Sequence, residues 1–345
     1  MKKKLAAVLA ALLCMAGCSG VKEQADIVNG QEEDKIQIGI SFDSFVVERW
    51  QRDRDVFVSS AVDLGAEVTV QNANGDIEEQ VAQLEYFIEK KVDVIVVVPI
   101  ESEALHTSIE KARNAGIKVI SYDRLVLGTE VDLYISFDNE AVGRLMGQAV
   151  METLEEGDRI LMLCGPGSDH NVSMVECGFR EVVEQSSLDI VDTYYVDGWK
   201  AEYAAEYMEA HEEALQDIDA IMCGNDNIAA HVIRVLAEQR LAGDICVVAQ
   251  DADLAACQRI VEGTQYMTVY KPVEKLAAQA ADEAVKLAGG ETIDTEDFME
   301  DEEYRIPYIK LEPIAVTKEN MDEVIIGNDF HQAEDVYLNR PDLRK

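Results

Sequence analysis

From Ile36 onward, short apolar runs alternate with amphipathic stretches of helical period, and this alternation constrains the fold more than any other feature. The runs are Ile36–Phe42, Glu67–Gln71, Val92–Pro99, Lys118–Tyr122 and Leu133–Phe137, then Ile160–Cys164, Val191–Val196, Ala220–Cys223, Ile245–Ala249 and Tyr266–Tyr270. Many are continuously apolar rather than alternating, as expected of strands covered on both faces of a parallel sheet. Between them, Gln80–Glu89 places Val81, Leu84, Phe87 and Ile88 on one helical face. Ala141–Leu154 does the same with Val142, Leu145, Met146, Ala149 and Val150, and Gly157 follows just past its end. The order β-α-β-α specifies a doubly wound α/β fold with parallel sheets.

A faint internal repeat divides the chain into two lobes. Asp93-Val94-Ile95 is followed 23 residues after Asp93 by Gly116 and then by a strand ending at Asp123. Asp219-Ala220-Ile221 is followed 24 residues after Asp219 by Gly243 and then by a strand ending at Asp251. The expected first lobe is 36–138 plus about 272–300, the second 139–271 plus about 305–330, with 331–345 a tail. The helix Val273–Ala288 and the strand-like Tyr308–Ile314 must each pack on a lobe, and periodicity does not say which.

Residues 1–17 read as an export signal. Lys2, Lys3 and Lys4 precede the apolar run Leu5–Met15, whose 11 residues are too few to span a bilayer. Met15-Ala16-Gly17-Cys18 resembles a bacterial lipobox, with cleavage before Cys18 and lipid attached to its thiol; the alternative is an ordinary secretory peptide cut near Gly20. Residues 18–35 are polar and acidic, an expected tether. With Cys14 removed and Cys18 lipidated, Cys164, Cys177, Cys223, Cys246 and Cys257 remain. Five is odd and no pair has metal-ligand spacing, so these read as core thiols rather than a disulfide framework.

Charge narrows the partners. Thirty Lys+Arg against 68 Asp+Glu give a formal charge of −38. That field repels nucleic-acid phosphate and anionic lipid, and it favours a neutral or cationic ligand. Membrane contact is expected through the lipid anchor alone, and no nucleic-acid partner is expected.

In open parallel sheets, ligands bind beyond the carboxyl ends of the strands. Those ends carry Glu48-Arg49-Trp50, Pro99, Asp123-Arg124 and Asp138-Asn139 in the first lobe. In the second they carry Gly165–Asn171, Asp197-Gly198-Trp199, Asn225-Asp226-Asn227, Gln250-Asp251 and Lys271. Arg, Asp, Asn and Lys recur there, and the two tryptophans of the chain fall one per lobe. The inventory suits a sugar: carboxylates, amides and cations match its hydroxyls, and indoles cover its C–H faces. Asp123-Arg124 can equally be a structural ion pair.

Several strings in order resemble the periplasmic D-xylose-binding proteins, of the pentose/hexose group of type I solute-binding proteins. They include Glu48-Arg49-Trp50-Gln51, Gln71-Asn72-Ala73-Asn74-Gly75, Tyr122-Asp123-Arg124, Val196-Asp197-Gly198-Trp199, Gln250-Asp251-Ala252-Asp253-Leu254 and Met267-Thr268-Val269-Tyr270-Lys271-Pro272. The resemblance runs from about Ile36 to His331. It implies that Arg49, Asp123, Arg124, Asn171, Asn225, Asp251 and Lys271 hydrogen-bond a sugar, that Trp50 and Trp199 stack on it, and that Asp169 neighbours the site. His170 stands where xylose binders carry a polar amide, which bears on the choice of sugar. The resemblance further implies a monomer that closes on its ligand about crossings near Asp138-Asn139, Lys271-Pro272 and Gly290–Tyr308. Its membrane partner would be an ABC permease with its ATPase, or alternatively a receptor histidine kinase. Another pentose or hexose, such as arabinose, glucose or galactose, is the alternative ligand. No cofactor or metal is implied.

Rival readings fail on particular residues. A DNA-binding repressor of this fold needs a helix-turn-helix and a basic face, not an export signal and −38. A glycosidase needs paired carboxylates, but among 68 acids suggestive pairs are unavoidable. His211-Glu212-Glu213-Ala214-Leu215 ends in Leu where a zincin needs its second His.

Overall fold

The computed structural model describes residues 35–46, 49–301 and 304–344. The expected signal, the lipobox with Cys18, the tether up to residue 34, and Glu48 lie outside the described residues. The chain opens with β1 (Gln37–Phe42), α1 (Arg49–Asp63), β2 (Glu67–Asn72), α2 (Ile77–Lys90), β3 (Val94–Val97), α3 (His106–Asn114), β4 (Lys118–Tyr122) and β5 (Leu133–Phe137). It crosses to α4 (Asn139–Thr153), β6 (Arg159–Cys164), α5 (His170–Val183), β7 (Asp189–Tyr195), α6 (Ala201–Ala210), α7 (Glu212–Leu215) and β8 (Ala220–Cys223). The same lobe continues with α8 (Asp226–Glu238), β9 (Cys246–Gln250), α9 (Leu254–Glu262) and β10 (Met267–Tyr270). The chain then supplies α10 (Val273–Ala288), β11 (Phe298–Asp301), β12 (Tyr304–Leu311), β13 (Ile314–Val316) and, near its end, α11 (Ala333–Val336).

Two α/β lobes result. The first sheet runs β11-β12-β5-β4-β3-β1-β2 and the second β13-β10-β9-β8-β6-β7. Within each, the strands are parallel except for the edge strands β11 and β13. The apolar runs form the buried centre: every residue of β3, β5 and β8 is buried, while edge strand β2 is not buried at any position. In both sheets the chain reverses direction beside its first strand, between β1 and β3 and between β6 and β8. Ligands of such sheets bind at that reversal. Polar residues at the strand ends double as helix caps. Asp138, Asp169 and Asn225 accept backbone N–H groups of α4, α5 and α8 through their side chains, which satisfies otherwise orphaned donors.

Three expectations about the C-terminal third are corrected. β12 pairs in parallel with β5, Tyr308 opposite Tyr134, so residues 304–311 complete the first sheet and not the second. The third crossing accordingly lies between Leu311 and Ile314 and not between Gly290 and Tyr308; β13 then pairs with β10. Residues 331–345 are no loose tail. Val336 and Tyr337 are buried with Met321, Ile325 and Phe330 in one cluster with α9 and α10, and Arg52 of α1 donates to the Phe330 carbonyl at 3.1 Å. This terminal segment touches α1 on one side and α9 on the other, so it straps both lobes. An edge strand's partner sheet is set by tertiary packing, which apolar periodicity does not report.

Among the five cysteines of the lobes, Cys164, Cys223 and Cys257 are buried and Cys177 is exposed, all as free thiols. Burial raises the Cys246 thiol to about 11, so it is inert at neutral pH.

Candidate functional site

All ten residues singled out at the strand ends line one cleft between the lobes. The first lobe gives Arg49, Trp50, Asp123 and Arg124. The second gives Asp169, Asn171, Trp199, Asn225, Asp251 and Lys271. Among the lining side chains, three cations (Arg49, Arg124, Lys271) face three carboxylates (Asp123, Asp169, Asp251).

Those charges are buried and paired. Arg49 Nη2 lies 2.8 Å from Asp123 Oδ2 and 3.2 Å from Asp53 Oδ1. Arg124 Nη1 meets Asp43 Oδ2 at 2.7 Å, and its Nε meets Asp169 Oδ2 at 2.7 Å. Lys271 Nζ lies 2.7 Å from Asp251 Oδ1 and donates to Gln250 Oε1 at 2.9 Å. Asp251 Oδ1 meets no directed hydrogen bond among the described residues, so its contact with Lys271 is ionic. Burial works against the charge of Asp123, yet Arg49, Lys271 and Arg124 outweigh it and hold the carboxyl below its ordinary range. Asp53 and Asp169 go the other way, because burial lifts their carboxyls despite Arg49 and Arg124.

The indoles frame these pairs. Arg124 Cζ lies 5.5 Å from the Trp50 ring centroid and 6.0 Å from that of Trp199, so one guanidinium touches both. Trp50 is 2% exposed and its Nε1 has no partner among the described residues; such a buried donor is costly unless a ligand acceptor meets it. Trp199 Nε1 donates to Asp169 Oδ2 at 3.3 Å. Its ring rests on glycine: a Cβ on Gly165 would come within 2.3 Å of it, and one on Gly224 within 2.6 Å of the Gly165 nitrogen.

Three of the cleft residues carry backbone strain. Asp123, Trp199 and Asp251 have φ of 62°, 59° and 104°, a region that costs L-residues on the order of 1–2 kcal/mol each. The surroundings over-determine Asp123. Its carbonyl accepts from Ser136 Oγ at 2.6 Å, Asn171 Nδ2 at 3.0 Å and Tyr134 Oη at 3.1 Å.

The lobes meet around the cleft. Besides Arg124–Asp169 and Asn171–Asp123, the Ser102 N–H donates to the Ser168 carbonyl and the His170 N–H to Ser102 Oγ, both at 3.2 Å. His170 thus contributes its backbone to the lobe seam, and its side chain is not among the cleft lining. The bearing on sugar choice that its sequence position suggests has no direct contact behind it.

The family described as periplasmic binding protein domain matches residues 38–292. The chain belongs to the periplasmic binding protein family. This binding protein is 41% identical over 307 residues to the D-xylose-binding periplasmic protein of Haemophilus influenzae, covering 88% of this chain and 92% of that one. It is 38% identical over 307 residues to the Escherichia coli K12 D-xylose-binding periplasmic protein, covering 88% and 93%. In structure it is similar to a carbohydrate transporter solute binding protein from Chloroflexus aurantiacus, solved in complex with D-glucose. The TM-score is 0.80 at 26% identity, over 87% of this chain and 98% of that one. These relatives are binding proteins by name, and the chain is a binding protein and not an enzyme.

Asn139, Gly165 and Gln250, named among the strand ends but given no role there, also line the cleft. Cys164 and Gly224 line it unexpectedly, and Asp43, Asp53 and Tyr122 stand behind Arg49 and Arg124. Nothing in one sequence marks Gly165 as the seat of an indole 34 residues away.

Proposed function

We propose that this chain is an extracytoplasmic receptor for a neutral monosaccharide, D-xylose first, which closes its lobes on the sugar and hands it to an ABC importer. The observation that carries this is a cleft whose three cations are already paired with carboxylates and framed by two indoles. With Asp43 and Asp53 also on Arg124 and Arg49, no cation is left for an anionic ligand, whereas a pyranose supplies hydroxyls to the charged groups and C–H faces to the indoles. The named xylose binders at 41% and 38% identity support D-xylose. The carbohydrate transporter named for the similar structure supports delivery to an importer.

Arg49, Asp123, Arg124, Asn171, Asn225, Asp251 and Lys271 act as hydrogen-bonding groups, Trp50 and Trp199 as stacking surfaces, and Asp169 as the brace of Arg124 and Trp199. Ligand bridging both lobes shifts an open–closed equilibrium toward the closed form. The protein works as a monomer held at the membrane by lipid on Cys18. Isothermal calorimetry with xylose, arabinose, glucose, galactose and ribose is the test: one or two tight ligands, xylose among them, are expected. Tight binding of none overturns the reading. Cys18→Ser should release the protein from membranes; continued anchoring overturns the lipoprotein assignment.

A further inference from the structure

Behind the cleft lies a carboxylate that the sugar site does not use. Asp226, the first residue of α8, is buried and does not line the cleft, although its neighbour Asn225 does. Its Oδ2 accepts the Thr268 hydroxyl at 2.8 Å and the Asp253 N–H at 3.1 Å. Thr268 Oγ1 accepts in turn the Ala252 N–H at 3.1 Å. Asp226 Oδ1 accepts Gln265 Nε2 at 2.7 Å, and Arg259 of α9 locks the assembly through Gln265 Oε1 and the Asp226 carbonyl.

The two backbone N–H groups held in this way follow Asp251 directly. That turn carries two successive non-glycine residues in the left-handed region, Asp251 at φ 104° and Ala252 at φ 56°. Such a conformation persists only where its surroundings enforce it. We propose that Asp226, with Thr268 as its bridge, is a positioning residue for ligand recognition: it fixes the 251–253 turn and so sets where the Asp251 carboxylate stands in the cleft. The proposal rests on the reading of the cleft as a sugar site, because Asp251 contacts ligand only under that reading. Arg259 and Cys257 of α9, Asp251 and Asp253 of the turn and Cys223 of β8 are among the titratable groups around Asp226.

Two measurements decide it. The first is hydrogen exchange at the Ala252 and Asp253 amides of the ligand-free protein. Thr268→Val, which deletes the bridging hydroxyl at nearly constant volume, should speed exchange there about tenfold and leave β1–β5 unchanged. Unchanged exchange overturns the proposal whether or not any sugar binds. The second is a double-mutant cycle on D-xylose affinity. Thr268→Val should cost about tenfold with Asp251 present and under twofold in Asp251→Asn. Equal losses in both backgrounds show a role not exerted through Asp251 and overturn it. Absence of binding to every sugar in the wild-type protein overturns the sugar reading instead. Asp226→Asn should repeat the exchange result; Thr268→Val serves alone if that variant does not fold.

Discussion

Arg124 of the first lobe and Asp169 of the second lie 2.7 Å apart across the cleft, both buried. The same guanidinium holds Asp43 at 2.7 Å and touches both indole rings. The same carboxylate receives the Trp199 N–H. Lobe closure and the orientation of the stacking surfaces are therefore tied through one ion pair.

Asp169→Asn neutralises the cross-lobe partner while Asp43 still balances Arg124. Closure should weaken more than folding does, with sugar affinity falling on the order of 10- to 100-fold and stability by about 2 kcal/mol, less than the usual loss on breaking a buried pair. At a fixed D-xylose concentration that half-saturates the wild type, small-angle scattering of the variant should show a larger radius of gyration than the wild type. Unchanged scattering and affinity would contradict the coupling.

Gly165→Ala forces a methyl group into the Trp199 ring, since the added Cβ would stand 2.3 Å from it. Overpacking of this kind costs about 1–3 kcal/mol, and the displaced indole should lower sugar affinity at least tenfold. In a Trp50→Phe background the emission of Trp199 alone reports the shift. Emission and affinity matching the parent would mean that the ring does not depend on the glycine floor.

Burial lifts the Asp226 carboxyl from 3.8 to about 7, against the pull of Arg259. A carboxyl whose pKa is higher in the folded state favours folding fully below pH 3.8, and this contribution is lost as pH rises toward 7. Stability should therefore decline over that window by up to about 1.4 kcal/mol per pH unit from this group. Repulsion among the surface acids has the same sign, so the diagnostic is the difference: Asp226→Asn should flatten the slope of urea midpoint against pH. Parallel slopes in the two proteins would refute the assignment.

Truncation after Phe330 removes His331, whose Nε2 donates to the Ala252 carbonyl at 2.8 Å, together with the buried Val336 and Tyr337. The loss of apolar burial should cost about 3–5 kcal/mol, read from urea denaturation. Wild-type stability would restore the view of this segment as a tail.

The architecture and the site were legible to different depths. Runs such as Val94–Val97 and Leu133–Phe137 announce buried parallel strands, and the end-of-strand rule then collects Arg49, Asp123, Trp199 and Asp251 without a structure. What stayed hidden depends on contacts between distant segments. β12 could pair with either lobe, because its pattern does not encode which open edge it meets. The orphan Nε1 of Trp50 and the seat of Trp199 on Gly165 exist only once the lobes are assembled. Asp226 appears in sequence only as the middle of the strand-end string Asn225-Asp226-Asn227; its weight comes from burial beside Thr268.

The left-handed backbones at Asp123, Trp199 and Asp251 have a consequence for anyone who evolves this protein in the laboratory. At each, glycine would relieve about 1–2 kcal/mol of strain, but it would strip Arg49 or Lys271 of a buried carboxylate or empty the seat of the Trp199 ring, at a larger cost. The strain therefore cannot be selected away by heat resistance alone, because the side chains that carry it also hold the cleft together.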